Sequence, residues 1–328
     1  MIERKLYLDL WEELIQNKAM IFLSGPRQAG KTTLARQIMT RFANTVYYNY
    51  DLPETKRLIL EKPAFFKEAD RKDNTPPLIV FDEIHKYRHW KNYLKGTYDG
   101  YRDDYRFLVL GSGRLNVYQR GGDSLAGRYF LFYLWPLTLS ELAEKRWTHQ
   151  EFFKNPLAVP EVSEAPLFEI WEQLKAVGGF PEPYASGREV IYRRWVNTHH
   201  ATIVREDIRN ATEIKNIDSL ELLLSLLPTR VGSPLSIESL ARDLQVAAKT
   251  VKFWLSTLEG FFLGFPLSPW SKRVSRAITK ERKWYHFNVP SVPEGAARFE
   301  NLVALELFRA VSNWNDWGVG DFSLHFVR

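Results

Sequence analysis

An apolar run, Ala19 to Leu23, leads into Gly25-Pro26-Arg27-Gln28-Ala29-Gly30-Lys31-Thr32, and a helical pattern from Lys31 to Phe42 follows. A G-x-x-x-x-G-K-T segment between a strand and a helix leaves few folds open. Its glycines let the main chain curl so that successive N–H groups and the helix N-terminus face an anion. Further strand candidates at Thr45–Tyr50, Leu78–Phe81, Phe107–Leu110 and Tyr129–Trp135 alternate with helical or polar stretches, which predicts an α/β fold with a parallel sheet and helices on both faces. In this loop the Lys31 ammonium is expected on the β- and γ-phosphates of a nucleotide, the Thr32 hydroxyl on Mg²⁺, and Thr33 near the α-phosphate. Positions 25 to 33 are thus the expected nucleotide contacts.

Leu78-Ile-Val-Phe-Asp82-Glu83 is an apolar strand ending in two acids. At the C-terminal edge of a parallel sheet such acids reach the same crevice as the loop. Asp82 is read as a metal holder through water, and Glu83 as the group that polarises a water for attack on the γ-phosphate, a role hydrolases need and phosphotransferases do not. Asp82 also suits an N-cap. Phe107-Leu-Val-Leu-Gly-Ser112-Gly113 ends another strand in a small polar tip; Ser112 either orients the attacking water, senses the γ-phosphate, or belongs to a plain turn. Arg114, Arg120 and Arg128 are candidates for a transition-state cation, supplied in cis or from a neighbouring subunit, with Arg128 preferred.

Composition sets the surroundings. The 328 residues exceed one small domain, cysteine is absent, and 45 Lys+Arg against 39 Asp+Glu give a net charge of +6. Disulfide scaffolds, cysteine metal sites and cysteine nucleophiles are excluded, and a reducing cytoplasm is expected. The charged start Met-Ile-Glu-Arg-Lys is no secretory signal, and the longest apolar stretch, Tyr129 to Leu137, is about half of the ~18 residues a spanning helix needs. No membrane association is expected.

Prolines between Asn155 and Pro166 and a composition shift at Pro228–Pro234 divide the chain into 1–155, 156–227, 228–290 and 291–328. The second segment is helical. In the third, Ser236–Asp243 and Ala247–Leu258 read as helices joined by a turn at Gln245, with Ser236 as N-cap, and Phe261–Pro266 and Lys283–Phe287 as strands behind them, the layout of a winged helix. Phe299–Val311 reads as an amphipathic helix, and the alternation Phe322, Leu324, Phe326 as a strand that looks cut off at Arg328.

Gly25-Pro-Arg-Gln-Ala-Gly-Lys-Thr-Thr-Leu, Asp82-Glu83-Ile-His-Lys, Gly111-Ser-Gly, Leu125-Ala-Gly-Arg-Tyr and Gly178-Gly-Phe-Pro occur in an order that resembles the prokaryotic AAA-type P-loop ATPases with a C-terminal domain of unknown function. The resemblance covers most of the chain. It implies an additional-strand P-loop fold, ATP and Mg²⁺ as ligands, Lys31 and Thr32 on phosphate and metal, Asp82 and Glu83 as the acidic pair, and Ser112 as sensor. It also implies a restriction-endonuclease-like end beyond the winged helix. Glu300 and Glu306 would echo a first metal acid there, but no strand acids follow before Arg328, so nuclease activity is not expected.

From Lys249 to Lys283 eight basic residues face only Glu259 and Glu281. Such an excess on a helix-turn-helix fits duplex DNA, with Lys249, Thr250 and Lys252 toward the groove and Arg273 and Arg276 on phosphates; a protein-contact role is the alternative. Arginines between Arg193 and Arg205 are placed either as lid cations reaching back to the nucleotide or as a salt-bridge surface. His85 and His89 lack a zinc-helix context, and His199 and His200 read as structural. The expected function is Mg²⁺-dependent ATP binding and hydrolysis driving a conformational change between the P-loop and winged-helix parts. The alternative is a DNA-binding regulator with ATP as a switching ligand, in either case with a homo-oligomer or protein partner open.

Overall fold

A computed structural model describes residues 2–113, 125–144, 149–155, 164–271 and 280–327. Contacts divide the chain into two units, Met1–Pro26 with Gly30–Leu134, and Arg27–Ala29 with Trp135–Arg328. The division falls ahead of the boundary expected at residue 155.

The first unit holds β1 (Met20–Ser24), β2 (Thr45–Asn49), β3 (Leu78–Asp82), β4 (Arg106–Leu110) and β5 (Phe130–Tyr133) in one sheet of order β2-β3-β4-β1-β5. Every pairing is parallel. All five residues of β1 and of β3 are buried, as a sheet covered on both faces requires. Alternate side chains divide between those faces. Met20, Phe22, Ile79, Phe81, Phe107 and Val109 join Phe66, Trp90 and Leu94 in one core, in which Phe81 and Phe107 stack at 6.3 Å between ring centroids.

Among the described residues this unit also holds the α-helices α1 (Lys5–Asn17), α2 (Lys31–Met39), α3 (Pro53–Glu61) and α4 (Trp90–Tyr101). On α1 the buried residues are Tyr7, Leu8, Leu10 and Trp11, so two large aromatic rings occupy the inward face. The additional strand is β4, lying between the loop-bearing β1 and the acid-bearing β3. In register, Asn49 pairs with Asp82, Asp82 with Leu110, Leu110 with Leu23, and Ser24 with Tyr133. Loops leaving these strands share one edge.

In the second unit come α5 (Leu139–Leu142), α6 (His149–Lys154), α7 (Glu164–Val177), α8 (Pro181–Ser186) and α9 (Glu189–Thr202), the last running into a π-helical stretch Ile203–Ile208. After α10 (Ile217–Leu226), α11 (Ile237–Asp243) is capped by the Ser236 hydroxyl accepting from the Ser239 N–H at 3.3 Å, as expected. Gln245 takes a left-handed φ of 53° before α12 (Ala248–Gly260). β6 (Gly264–Pro269) pairs antiparallel with β7 (Lys283–His286), and β8 (His325–Phe326) adds parallel to β6. The expected C-terminal amphipathic helix is longer than its periodicity suggested, α13 spanning Ala296–Asp316. Trp135, Phe262, Phe265, Phe287 and Phe308 form an aromatic nucleus, with Trp135 flat on Phe287 at 5.1 Å.

Candidate nucleotide site

The loop after β1 owes its glycines to two different constraints. A Cβ on Gly25, whose φ is +146°, would stand 2.2 Å from the Leu134 carbonyl oxygen, so β5 approaching β1 already forbids a side chain there. Gly30 sits left-handed, φ 98°, as the residue before α2, where only glycine escapes strain. The Lys31 ammonium donates to the carbonyls of Gly25 (3.0 Å) and Pro26 (2.7 Å), folding over the loop.

Asp82 ends β3 and is nearly buried. The Thr32 hydroxyl donates to its Oδ2 at 3.1 Å, and the Tyr47 hydroxyl of β2 donates to the same oxygen. Burial pushes the Asp82 carboxyl above its ordinary value and adjacent Glu83 adds to that, while Tyr47, Thr32 and Lys31 pull the other way. Burial and the facing carboxylate push the Tyr47 phenol up as well, so it remains a donor. Sequence reading missed Tyr47; the β2–β3 register that brings it to Asp82 is a long-range property.

Glu83 adopts a left-handed φ of 57°, a conformation that bulky residues avoid. Its carboxylate lies 3.0 Å from Lys86 Nζ and 3.6 Å from His85 Nε2, and Lys86 also holds Asp51 at 2.6 Å. Burial alone would raise the Glu83 carboxyl, but His85, Lys86 and Lys31 outweigh it and hold it below its ordinary range. Two adjacent acids thus stand in opposite environments, Asp82 among hydroxyls and Glu83 among cations. Ser112 is buried two residues beyond the end of β4, the strand that lies between β3 and β1.

The donor set fits Mg²⁺, a hard ion that takes oxygen ligands and keeps several waters: a carboxylate and a hydroxyl converge within hydrogen-bonding distance of each other, next to a loop of the length and glycine spacing that cradles phosphates. Thr32 and Asp82 are the residues that would hold it.

Residues 17–143 match the AAA domain family. Residues 168–289 match a domain of unknown function (DUF8612). A Walker-type ATPase of Pyrococcus abyssi shares the fold at a TM-score of 0.52 and 15% identity, covering 89% of this chain and 94% of that one. An uncharacterized protein of Mycobacterium tuberculosis is 23% identical over 87% of this chain and 58% of its own length. One of Methanocaldococcus jannaschii is 24% identical over 85% and 63%. The chain spans about three fifths of the length of these curated relatives. Fold and family match agree on an AAA-like P-loop domain built on a five-stranded parallel sheet.

Other expected residues that the structure describes stand apart from this cluster. Arg128 precedes β5 and so lies at the N-terminal edge of the sheet, where it grips Asp99 of α4 through two hydrogen bonds of 2.8 and 3.0 Å. A strand's length, roughly 15 Å, lies between that edge and the loop, which corrects the expectation of Arg128 as a cation for its own chain's phosphates. Arg114, Arg120, Arg273 and Arg276 lie outside the described residues.

Arg205 pairs with Glu221 at 2.7 Å and Arg193 with Glu189 at 3.1 Å, the salt-bridge alternative rather than the lid. Within the second unit, Arg27 instead donates to both oxygens of Asp207 in the π-helical stretch (3.0 and 2.9 Å), and Gln28 meets His199 Nδ1 at 2.8 Å. Glu300 accepts from Lys283 and Tyr285 at 2.8 Å each, and Glu306 from Arg309 and the Leu139 N–H; both acids are occupied structurally. Among the described residues no acid and histidine cluster is suited to a metal ion, and no helix is long and apolar enough to cross a membrane.

Proposed function

We propose that this chain binds ATP with Mg²⁺ and hydrolyses it, and that the change in the phosphate tail drives a conformational change between its P-loop part and the part we read as a winged helix. The observation that carries this reading is the convergence, at one sheet edge, of the loop after β1 and the Asp82–Glu83 pair after β3, tied by the Thr32–Asp82 hydrogen bond. Main-chain N–H groups of residues 27 to 33 and the Lys31 ammonium hold the phosphates. Bound Mg²⁺ supplies charge neutralisation at the γ-phosphate. Glu83, kept ionised by its cationic neighbours, takes a proton from a water whose oxygen bonds the γ-phosphorus as the bond to the bridging oxygen breaks and ADP leaves. Ser112 orients that water, and a transition-state arginine comes from a neighbouring subunit, a place Arg128 can fill only in trans.

Labelled ATP tests this. Parent protein releases free phosphate with no label transferred to another acceptor; Glu83→Gln keeps nucleotide affinity and loses turnover by about 10²–10⁴-fold, the usual worth of a positioned base. Turnover in Glu83→Gln equal to the parent's sinks the hydrolase reading, and Lys31→Ala holding ATP as tightly as the parent sinks the site.

One observation favours a second reading, DNA binding. Lys249, Lys252 and Phe253 are exposed along α12, the second helix of the α11–α12 pair, ahead of the β6–β7 hairpin, an arrangement we read as a winged helix. Duplex affinity that falls steeply with salt supports it; indifference to both duplex and salt leaves a protein partner. We place the protein in the cytoplasm on its lack of cysteine.

A further inference from the structure

Tyr47 is the third residue of β2 and pairs with Val80 of β3. Its neighbours Val46 and Tyr48 turn into the aromatic core with Phe65 and Phe81. Alternation therefore sends Tyr47 to the other face, where its hydroxyl meets Asp82 Oδ2. The Thr32 hydroxyl, from α2, donates to that same oxygen, and no other hydrogen bond to the carboxylate is formed among the described residues. One carboxylate oxygen is thus fixed from two elements, and Oδ1 is left for outside use. The phenol is half-buried, and its hydroxyl is spent on this carboxylate.

We propose that Tyr47 is a positioning residue for the metal of this site: by holding Oδ2 it fixes the plane of the Asp82 carboxylate and presents Oδ1 to the hydrated Mg²⁺ that accompanies the nucleotide. The inference rests on the ATP–Mg²⁺ reading above and adds a residue to it. Partners that orient a metal-holding group are known to tune metal affinity by about 10–100-fold, and a carboxylate left with Thr32 alone loses that orientation. Thr32 cannot substitute, since the same hydroxyl is required on the metal.

Binding of a fluorescent N-methylanthraniloyl-ADP to the full chain, titrated with Mg²⁺ and repeated in EDTA, reads this without turnover. The expected result for Tyr47→Phe is a 10–100-fold rise in the Mg²⁺ concentration that half-saturates the metal-dependent increment, with affinity in EDTA unchanged. Tyr48→Phe, one residue along and on the opposite face, leaves the Mg²⁺ dependence as in the parent. A thermal midpoint near the parent's for Tyr47→Phe shows the variant folded; if it falls, the titration is run well below that midpoint, where an affinity in EDTA equal to the parent's shows that the molecules read are folded.

An unchanged Mg²⁺ midpoint in a folded Tyr47→Phe overturns the role of Tyr47 alone. A parent protein that binds the nucleotide with no Mg²⁺ increment overturns the metal reading with it.

Discussion

In the first unit the buried acid Asp82 takes its hydrogen bonds from the hydroxyls of Tyr47 and Thr32. In the second, the buried amide Asn301 is committed to main chain, and the buried cation Arg309 to main chain and to Glu306 of its own helix. Arg309 donates to the carbonyls of Pro136 and Leu137, and Asn301 clasps His286 through its N–H (2.7 Å) and its carbonyl (2.9 Å). Both sets are polar groups taken out of water, and burial does not distinguish them. Their partners do: hydroxyls can turn toward a ligand at little cost, whereas a backbone group cannot leave without unfolding what it belongs to. The first arrangement is suited to chemistry, the second to fastening Trp135–Leu137 to α13.

Breaking a fastener is therefore expected to have the largest effect on folding. Arg309→Ala leaves two carbonyls and Glu306 without their cation and costs about 3–5 kcal/mol, as removal of one partner of a buried ionic group does. Chemical denaturation measures this, while nucleotide affinity per folded molecule stays at the parent's value; a drop in affinity without a drop in stability would erase the distinction drawn between the units.

Acid exposes a second, smaller difference. Burial drives His200 and His286 of the second unit down to about 4 from an ordinary 6.5. Above pH 6.5 both are neutral folded and unfolded, and contribute no slope. Between 6.5 and about 4 the unfolded chain binds protons that the folded one refuses, so stability falls with pH by up to about 1.4 kcal/mol per pH unit for each histidine. The Glu83 carboxyl, held low, begins to lose its contribution only when pH falls below its ordinary value. Calorimetry between pH 7 and 4.5 is expected to register the loss in the second unit, and His286→Leu to flatten the slope.

The smallest effect runs the other way. Asp82 is held above its ordinary value chiefly by burial, so its charged form is disfavoured in the folded protein. Stability of the nucleotide-free protein is accordingly greater where the group is protonated and declines as pH rises through its shifted value. Asp82→Asn is expected to raise the thermal midpoint of the nucleotide-free protein at neutral pH, by an amount within the 0.5–2 kcal/mol typical of such relieved strain, and to abolish stabilisation by Mg²⁺ and nucleotide together. A lower midpoint would mean that the two hydroxyls outweigh burial.

The loop, the acid pair and the strands that carry them were legible because their signals are local: glycine spacing, an apolar run of strand length, acids at its end. Arg128 was also legible in principle, since a residue just before a parallel strand must sit at the edge away from the loop, and the expectation neglected that direction. Tyr47 was not. Tyr47 and Tyr48 lie side by side in a strand with no clear polar and apolar alternation, all five β2 residues being half-buried, and only pairing with β3 decides which ring turns toward α2. The Arg27–Asp207 pair, 180 positions apart, likewise has no local trace.

β4 threads between the strand that bears the loop and the strand that bears the acids. The gap those two strands leave, two inter-strand steps or roughly 10 Å, is set by peptide groups and acts as a rigid gauge. Variation along β4 that preserves an apolar strand therefore leaves the bore of the crevice unaltered, whereas losing that strand would bring phosphate and acid into collision or strand them apart, whatever side chains remained.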